Sequence, residues 1–254
     1  MATTGLGYDD VGEGEALVFL HGIGSDRTRW QCVVDRLADG YRCVSVDLPG
    51  HGDSPAEGCD GLSAAAAVDG LLVALDIDHP VFVGHSLGGV VSLIAGALYG
   101  PRSVVAVDPV PLHLPHLTER LAPLRDRLLG DDFDAAFAEF EATLGPDLVP
   151  EPRRSAILDG FHPRPEVVRS YWSGLLDPEA VDATQSSFAD ALAAVVVPTL
   201  VVLAEPPTPE DAALLAGMPT TTVEVFDGMG HYLHLVNPER FATRLRRWVA
   251  DLPA

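Results

Sequence analysis

Six short apolar runs recur along this chain, and most of them show no alternation with polar residues: ALVFL (16–20), RCVSV (42–46), PVFVG (80–84), SVVAV (103–107), PTLVVL (198–203) and TTVEVF (221–226). A strand with one face in water alternates apolar and polar side chains. One that is apolar on both sides is covered on both sides, as happens in a parallel sheet flanked by helices. Helical periodicity lies between the runs. Trp30, Val33, Val34 and Leu37 recur at i, i+3, i+4 and i+7, with Gly40 as a stop. The stretch LGGVVSLIAGALYGP (87–101) is an apolar helix halted at Gly100-Pro101, and a last helix starts near Pro238 with Phe241, Leu245, Trp248 and Val249 on one side. Strand and helix in turn predict an α/β architecture with a doubly wound, mostly parallel sheet. At 254 residues the chain can bury one full core with an insertion.

The insertion is visible as a break in this rhythm. From 111 to 194 no good strand occurs, and helical stretches are divided by the proline-rich seams PVPLHLP and GPDLVPEP. Phe133, Phe137, Phe140 and Leu144 form a stripe at i, i+4, i+7 and i+11 there. The expected organisation is a core of residues 1–110 and 195–254 with an all-helical segment, 111–194, inserted between two strands. No internal repeat is present.

The formal charge of −21, from 37 acids against 16 bases that are all arginine, describes a surface that repels nucleic acid and anionic membrane. Both are excluded as partners. Cys32, Cys43 and Cys59 are odd in number and lack CxxC spacing, so they read as free thiols rather than a disulfide framework or a zinc site. No apolar stretch reaches the ~18 residues of a membrane span, and no leader pattern opens the chain. A cytoplasmic protein is expected.

Chemistry gathers at the ends of the apolar runs. GHSLGG (84–89) follows VFV directly and opens a helix. A strand-to-helix turn this tight requires Gly84 and Gly88 to lack side chains, and it pushes Ser86 out at the carboxyl edge of the sheet as a nucleophile. HGIG (21–24) also follows a strand, and the backbone N–H groups of Ile23 and Leu87 are the two donors assigned to an oxyanion hole. His21 is read as a brace for that loop. In GMGHYLH (228–234), after the last strand, His231 is placed to take the proton of Ser86, and His234 is read as packing. The histidines at 51, 79, 85, 113, 116 and 162 have no ligand spacing and are read as structural. No metal and no cofactor are expected.

HGIG, VDLPGHGDS (46–54), GHSLGG and GMGHYLHLVNPERF (228–241), in this order, resemble the α/β-hydrolase superfamily over essentially the whole chain, on its capped, serine-nucleophile side. The resemblance implies an eight-stranded sheet, a nucleophile elbow and a helical cap inserted after the sixth strand, which fits 111–194. Few residues precede VGEGEALVFLHG, so the first strand of that sheet is expected to be missing or merged.

The resemblance also raises a difficulty. The family's usual triad acid follows the strand that here is PTLVVL, in a pattern like G-x-x-D. In VVLAEPPTPED (201–211) the glycine position falls on Ala204 and the aspartate position on Pro207. Some family members carry the acid at the end of the preceding strand instead, which here is Asp108. Asp108 is therefore the expected partner of His231, with Glu205, Asp211 or Glu210, or no acid at all, as alternatives. Pro109 should hold Asp108 extended.

The combination points to a serine hydrolase that cleaves an ester, lactone or thioester of a small-molecule substrate through an acyl-enzyme on Ser86. A slight excess of aromatic residues in 111–194 favours an apolar substrate. Two alternatives stay open: a cofactorless lyase or C–C bond enzyme that uses the same triad, and a hydrolase-fold protein kept as a ligand receptor.

Overall fold

The computed structural model describes residues 5–109 and 114–253. The seam residues 110–113, His113 among them, lie outside the described residues, as does the side chain of His116. Seven strands form one sheet: β1 (Tyr8–Val11), β2 (Ala16–Leu20), β3 (Arg42–Val46), β4 (Val81–His85), β5 (Ser103–Val107), β6 (Thr199–Leu203) and β7 (Thr221–Val225). Their order is β1-β3-β2-β4-β5-β6-β7, parallel throughout except for β1, which runs antiparallel to β3. All six apolar runs are strands. β1 was not visible in the sequence because YDDV has no apolar face. It is an exposed edge strand whose Asp9 and Asp10 pair with Arg27 and Arg42. The resemblance implies eight strands, and the described residues form seven.

The absence of alternation has a direct structural cause. Val18 and Leu20 of β2, Phe82 of β4 and Val104 and Ala106 of β5 face one core; Leu17, Phe19, Val81, Val83, Val105 and Val107 face another. Each strand buries both sets. On the first face lie α1 (Gly61–Ala74), with Asp60 as its cap, and α2 (Leu87–Leu98). The second face is covered by Trp30, Val33, Val34 and Leu37, and by the last helix through Phe241, Leu245 and Val249. The expected helix at 30–37 is shorter than its periodicity: a 3-10 turn Arg27–Trp30, the helical turn Gln31–Val34, and then turns to Gly40. Its apolar residues are nonetheless buried.

Between β5 and β6 no strand occurs among the described residues. The segment holds α3 (Leu114–Leu121), α4 (Phe133–Ala142), α5 (Pro165–Tyr171) and α6 (Val181–Ala193), joined by further short helical stretches. The phenylalanine stripe becomes a small aromatic core. Phe137 stacks on Phe133 at 5.5 Å and on Trp172 at 5.7 Å, and Phe140 meets Trp172 edge-on at 5.2 Å. After β6 comes α7 (Pro209–Ala216), and after β7 comes α8 (Pro238–Ala250), capped by Asn237.

The strand order also decides where a site can form. From β2 the chain crosses to β3 on one side, and it returns to β4 on the other. The loops leaving the carboxyl ends of β2 and β4 therefore part, and a crevice opens between them. HGIG and GHSLGG are those two loops.

Candidate active site

Ser86 sits in the elbow with φ 53° and ψ −115°, a conformation that costs a non-glycine residue of order 1–3 kcal/mol. The surrounding backbone imposes it. The Ser86 N–H donates to the carbonyl of Val107 at 2.9 Å, while the chain turns at once into α2. A Cβ on Gly84 would come within 2.0 Å of the Gly88 oxygen, and one on Gly88 within 2.2 Å of the Leu20 oxygen. Both positions therefore admit glycine only.

The loop after β2 is fastened by two histidines. His21 donates from Nδ1 to the Gly22 carbonyl (2.7 Å) and accepts the Leu48 N–H at Nε2 (3.0 Å). His51 lies 3.1 Å from the Pro49 carbonyl through Nδ1 and accepts the Gly24 N–H at Nε2, also at 3.1 Å. Burial pushes both rings to low pKa, about 4 for His21 and about 3 for His51, so both are neutral and keep one donor and one acceptor. Among the described residues the Ile23 and Leu87 amides have no hydrogen-bond partner, and Leu87 heads α2, where amides are unpaired by construction.

His231 donates from Nδ1 to Oδ2 of Asp108 at 2.7 Å, which leaves Nε2 for a second partner. The other carboxylate oxygen of Asp108 accepts the Ala204 N–H at 2.9 Å. The loop AEPP thus contributes a backbone donor, and Pro207 stands where the family pattern has its aspartate. One expectation is corrected here: Asp108 is not extended. Its φ is 41°, in the left-handed region that aspartate tolerates better than most residues. The restriction that a following proline exerts is overridden because this turn brings both oxygens onto their donors. Glu205 is exposed on the cavity rim. Asp211 closes a capping box with Thr208 at the start of α7, and Glu210 is exposed.

Ser86, Asp108, His231 and Ile23 line one cavity of about 420 Å³, a volume suited to a small molecule. Its further wall carries Phe140, Phe161 and Trp172 from the helical segment. Charged groups line it too, and these were missed in the sequence: Arg29, Arg120 and Glu141, with the Tyr232 hydroxyl donating to Glu141. A signal for Glu141 did exist, since it lies at i+4 from Phe137 on the buried face of the stripe. His85 donates from Nε2 to the His231 carbonyl (3.0 Å), and His234 is packed against Trp30 and His85 with ring centroids 4.4 and 4.5 Å away. Among the described residues, no cluster of His, Cys, Asp and Glu has a metal-holding arrangement, and no helix is long and apolar enough to cross a membrane.

The model of the Alpha/beta hydrolase family matches residues 17–244. The chain belongs to that family. A 2-(acetamidomethylene)succinate hydrolase of Mesorhizobium japonicum is 31% identical over 247 residues, covering 92% of this chain and 87% of that protein. A 2-hydroxy-6-oxononadienedioate/2-hydroxy-6-oxononatrienedioate hydrolase of Paraburkholderia xenovorans is 28% identical over 275 residues, covering 98% and 90%. Among solved structures, that of E-2-(acetamidomethylene)succinate hydrolase superposes with a TM-score of 0.76 at 25% identity, covering 96% of this chain and 95% of that one. These alpha/beta hydrolase relatives are hydrolases of small molecules.

Proposed function

We propose that this alpha/beta hydrolase is a serine hydrolase acting on an ester, lactone or thioester of a small molecule, with residues 111–194 as the cap over its site. Ser86 attacks the acyl carbon. His231 takes its proton through Nε2 and returns it to the leaving alkoxide or thiolate, and water then releases the acyl group by the same steps. Asp108 fixes the Nδ1–H tautomer and stabilises the imidazolium. The Ile23 and Leu87 amides hold the oxyanion.

The observation that carries this reading is the 2.7 Å contact of His231 Nδ1 with Asp108, opening on the cavity that Ser86 also lines from a strained backbone. Phe140, Phe161 and Trp172 offer the apolar part of a substrate an aromatic wall. A second reading, C–C bond hydrolysis, is favoured by the nearly full-length match to the Paraburkholderia hydrolase.

The test is Ser86→Ala. Turnover of p-nitrophenyl acyl esters and labelling by a fluorophosphonate probe should both fall at least about a thousandfold, while stability changes by no more than about 1 kcal/mol. Full activity in this variant ends the serine-hydrolase reading. Labelling of the wild type without any ester turnover favours the second.

A further inference from the structure

Glu141 takes no part in the reaction just described, yet it is a carboxyl group held almost out of water inside the reaction cavity. It lies near the carboxyl end of α4, is 7% exposed, and lines the same cavity as Ser86 and His231. Among the described residues its one hydrogen-bond partner is the Tyr232 hydroxyl, which donates to Oε1. One neutral hydrogen bond, with only the longer-range attraction of Arg29 and His231, is partial compensation for a carboxylate in such a place, because a buried charge without a close counter-charge carries most of its desolvation penalty. The cations nearby are engaged elsewhere. Arg29 donates from Nε to Ser25 Oγ (2.8 Å) and lies over the Phe161 ring, and Arg120 donates to the carbonyl and hydroxyl of Thr143 and lies over Phe140.

We propose that Glu141 is a specificity-determining residue that binds an ammonium group of the substrate, so that the best esters carry a primary amine joined to the reacting group by a short hydrocarbon chain. The inference rests on the hydrolase reading above and narrows it.

Three further observations fit this ligand chemistry. Phe140 and Trp172 line the cavity beside Glu141, and aromatic faces attract an ammonium and pack against its methylene chain. Glu205 and Asp211 line the cavity alongside Arg29 and Arg120, and the whole chain carries a formal charge of −21, so its long-range field favours the approach of cations over that of dianions. Burial pushes the Glu141 carboxyl up to about 7 against the opposing pull of His231 and Arg29, so an arriving ammonium would hold it ionised.

The test compares esters matched in length, with the amine on either side of the bond: methyl 6-aminohexanoate against methyl heptanoate, and 6-aminohexyl acetate against heptyl acetate. In at least one pair, wild-type kcat/KM should favour the amine roughly tenfold or more, the scale of a desolvated charge pair. That ratio should collapse toward one in Glu141→Gln, which keeps an acceptor for Tyr232. In parallel, n-hexylammonium and hexan-1-ol are titrated calorimetrically into Ser86→Ala, with and without Glu141→Gln. The ammonium should bind more tightly, and only when Glu141 is present. Esters cleaved without regard to the amine, or a preference that survives Glu141→Gln, overturn the proposal and leave the hydrolase reading intact. Ammonium binding that needs Glu141, with no ester cleaved, removes the hydrolase reading and keeps the ammonium site.

Discussion

Asp108→Asn is the sharpest perturbation available, because the two oxygens of Asp108 meet two donors that ask for opposite things of an amide. The side chain keeps its size, and one oxygen becomes an NH2. If the amide oxygen stays on the Ala204 N–H, 2.9 Å away in the parent, the NH2 faces His231. The ring must then present Nδ1 as an acceptor and carry its proton on Nε2, where it can no longer accept the proton of Ser86. If the amide flips, the tautomer is kept, but the NH2 is pressed against the Ala204 N–H. That donor-to-donor contact leaves a buried amide unpaired at about 1–3 kcal/mol, and the negative charge that stabilises the imidazolium is gone in either case. Neutralising a triad carboxylate lowers kcat by ~10⁴, which is about 5 kcal/mol of transition-state stabilisation at ~1.4 kcal/mol per decade. The expected outcome is therefore a kcat for p-nitrophenyl ester hydrolysis reduced about 10⁴-fold with the fold intact. Glu205→Gln, on the exposed rim, should stay within about twofold, as a surface change away from the reacting groups should. An Asp108→Asn enzyme within tenfold of the parent would refute the pairing as the source of rate, and a large loss in Glu205→Gln would move the acid to the loop after β6.

Gly84→Ala should cost at least about 3 kcal/mol in urea unfolding or prevent folding, since its Cβ would lie 2.0 Å from the Gly88 carbonyl oxygen and both atoms belong to the elbow backbone; an unchanged midpoint would show that the elbow can relax. Stability should also fall as the pH drops below about 6.5. His21 and His51 have folded pKa values lowered to about 4 and about 3, so their stabilising effect is complete above the unfolded value and is lost toward the folded ones, at up to ~1.4 kcal/mol per pH unit for each ring. Burial shifts His85 and His234 in the same direction, whereas Glu141, raised to about 7, gains stability as the pH falls and offsets about one histidine. A urea midpoint that is equal at pH 7 and pH 5 would contradict this balance.

Much of the molecule follows from local sequence alone. Strands buried on both faces, such as β2, β4 and β5, carry apolar residues in succession and were legible as runs; a turn that admits no Cβ must be glycine, so the elbow around Ser86 was legible as well. β1 was not, because an exposed edge strand is held by ladder hydrogen bonds and ion pairs that impose no apolar pattern. The site divides in the same way. Ser86, His231 and the glycine-flanked loops carry local signals. The carboxylate does not, because any strand-end acid could serve, and what separates Asp108 from Glu205 and Asp211 is a contact across 123 residues of chain. That contact depends on a left-handed Asp108 backbone, contrary to the local preference before proline, and on an amide lent by Ala204 from the neighbouring strand end. Glu141 shows the same limit: in sequence it is one acid on a helix, and only the tertiary packing of that helix removes its water and sets it in the cavity that Ser86 also lines. Local sequence determines what a segment can be, since sterics and burial act on neighbouring residues. Which charges meet is decided by the tertiary structure, because desolvation and hydrogen-bond geometry are properties of the assembled site.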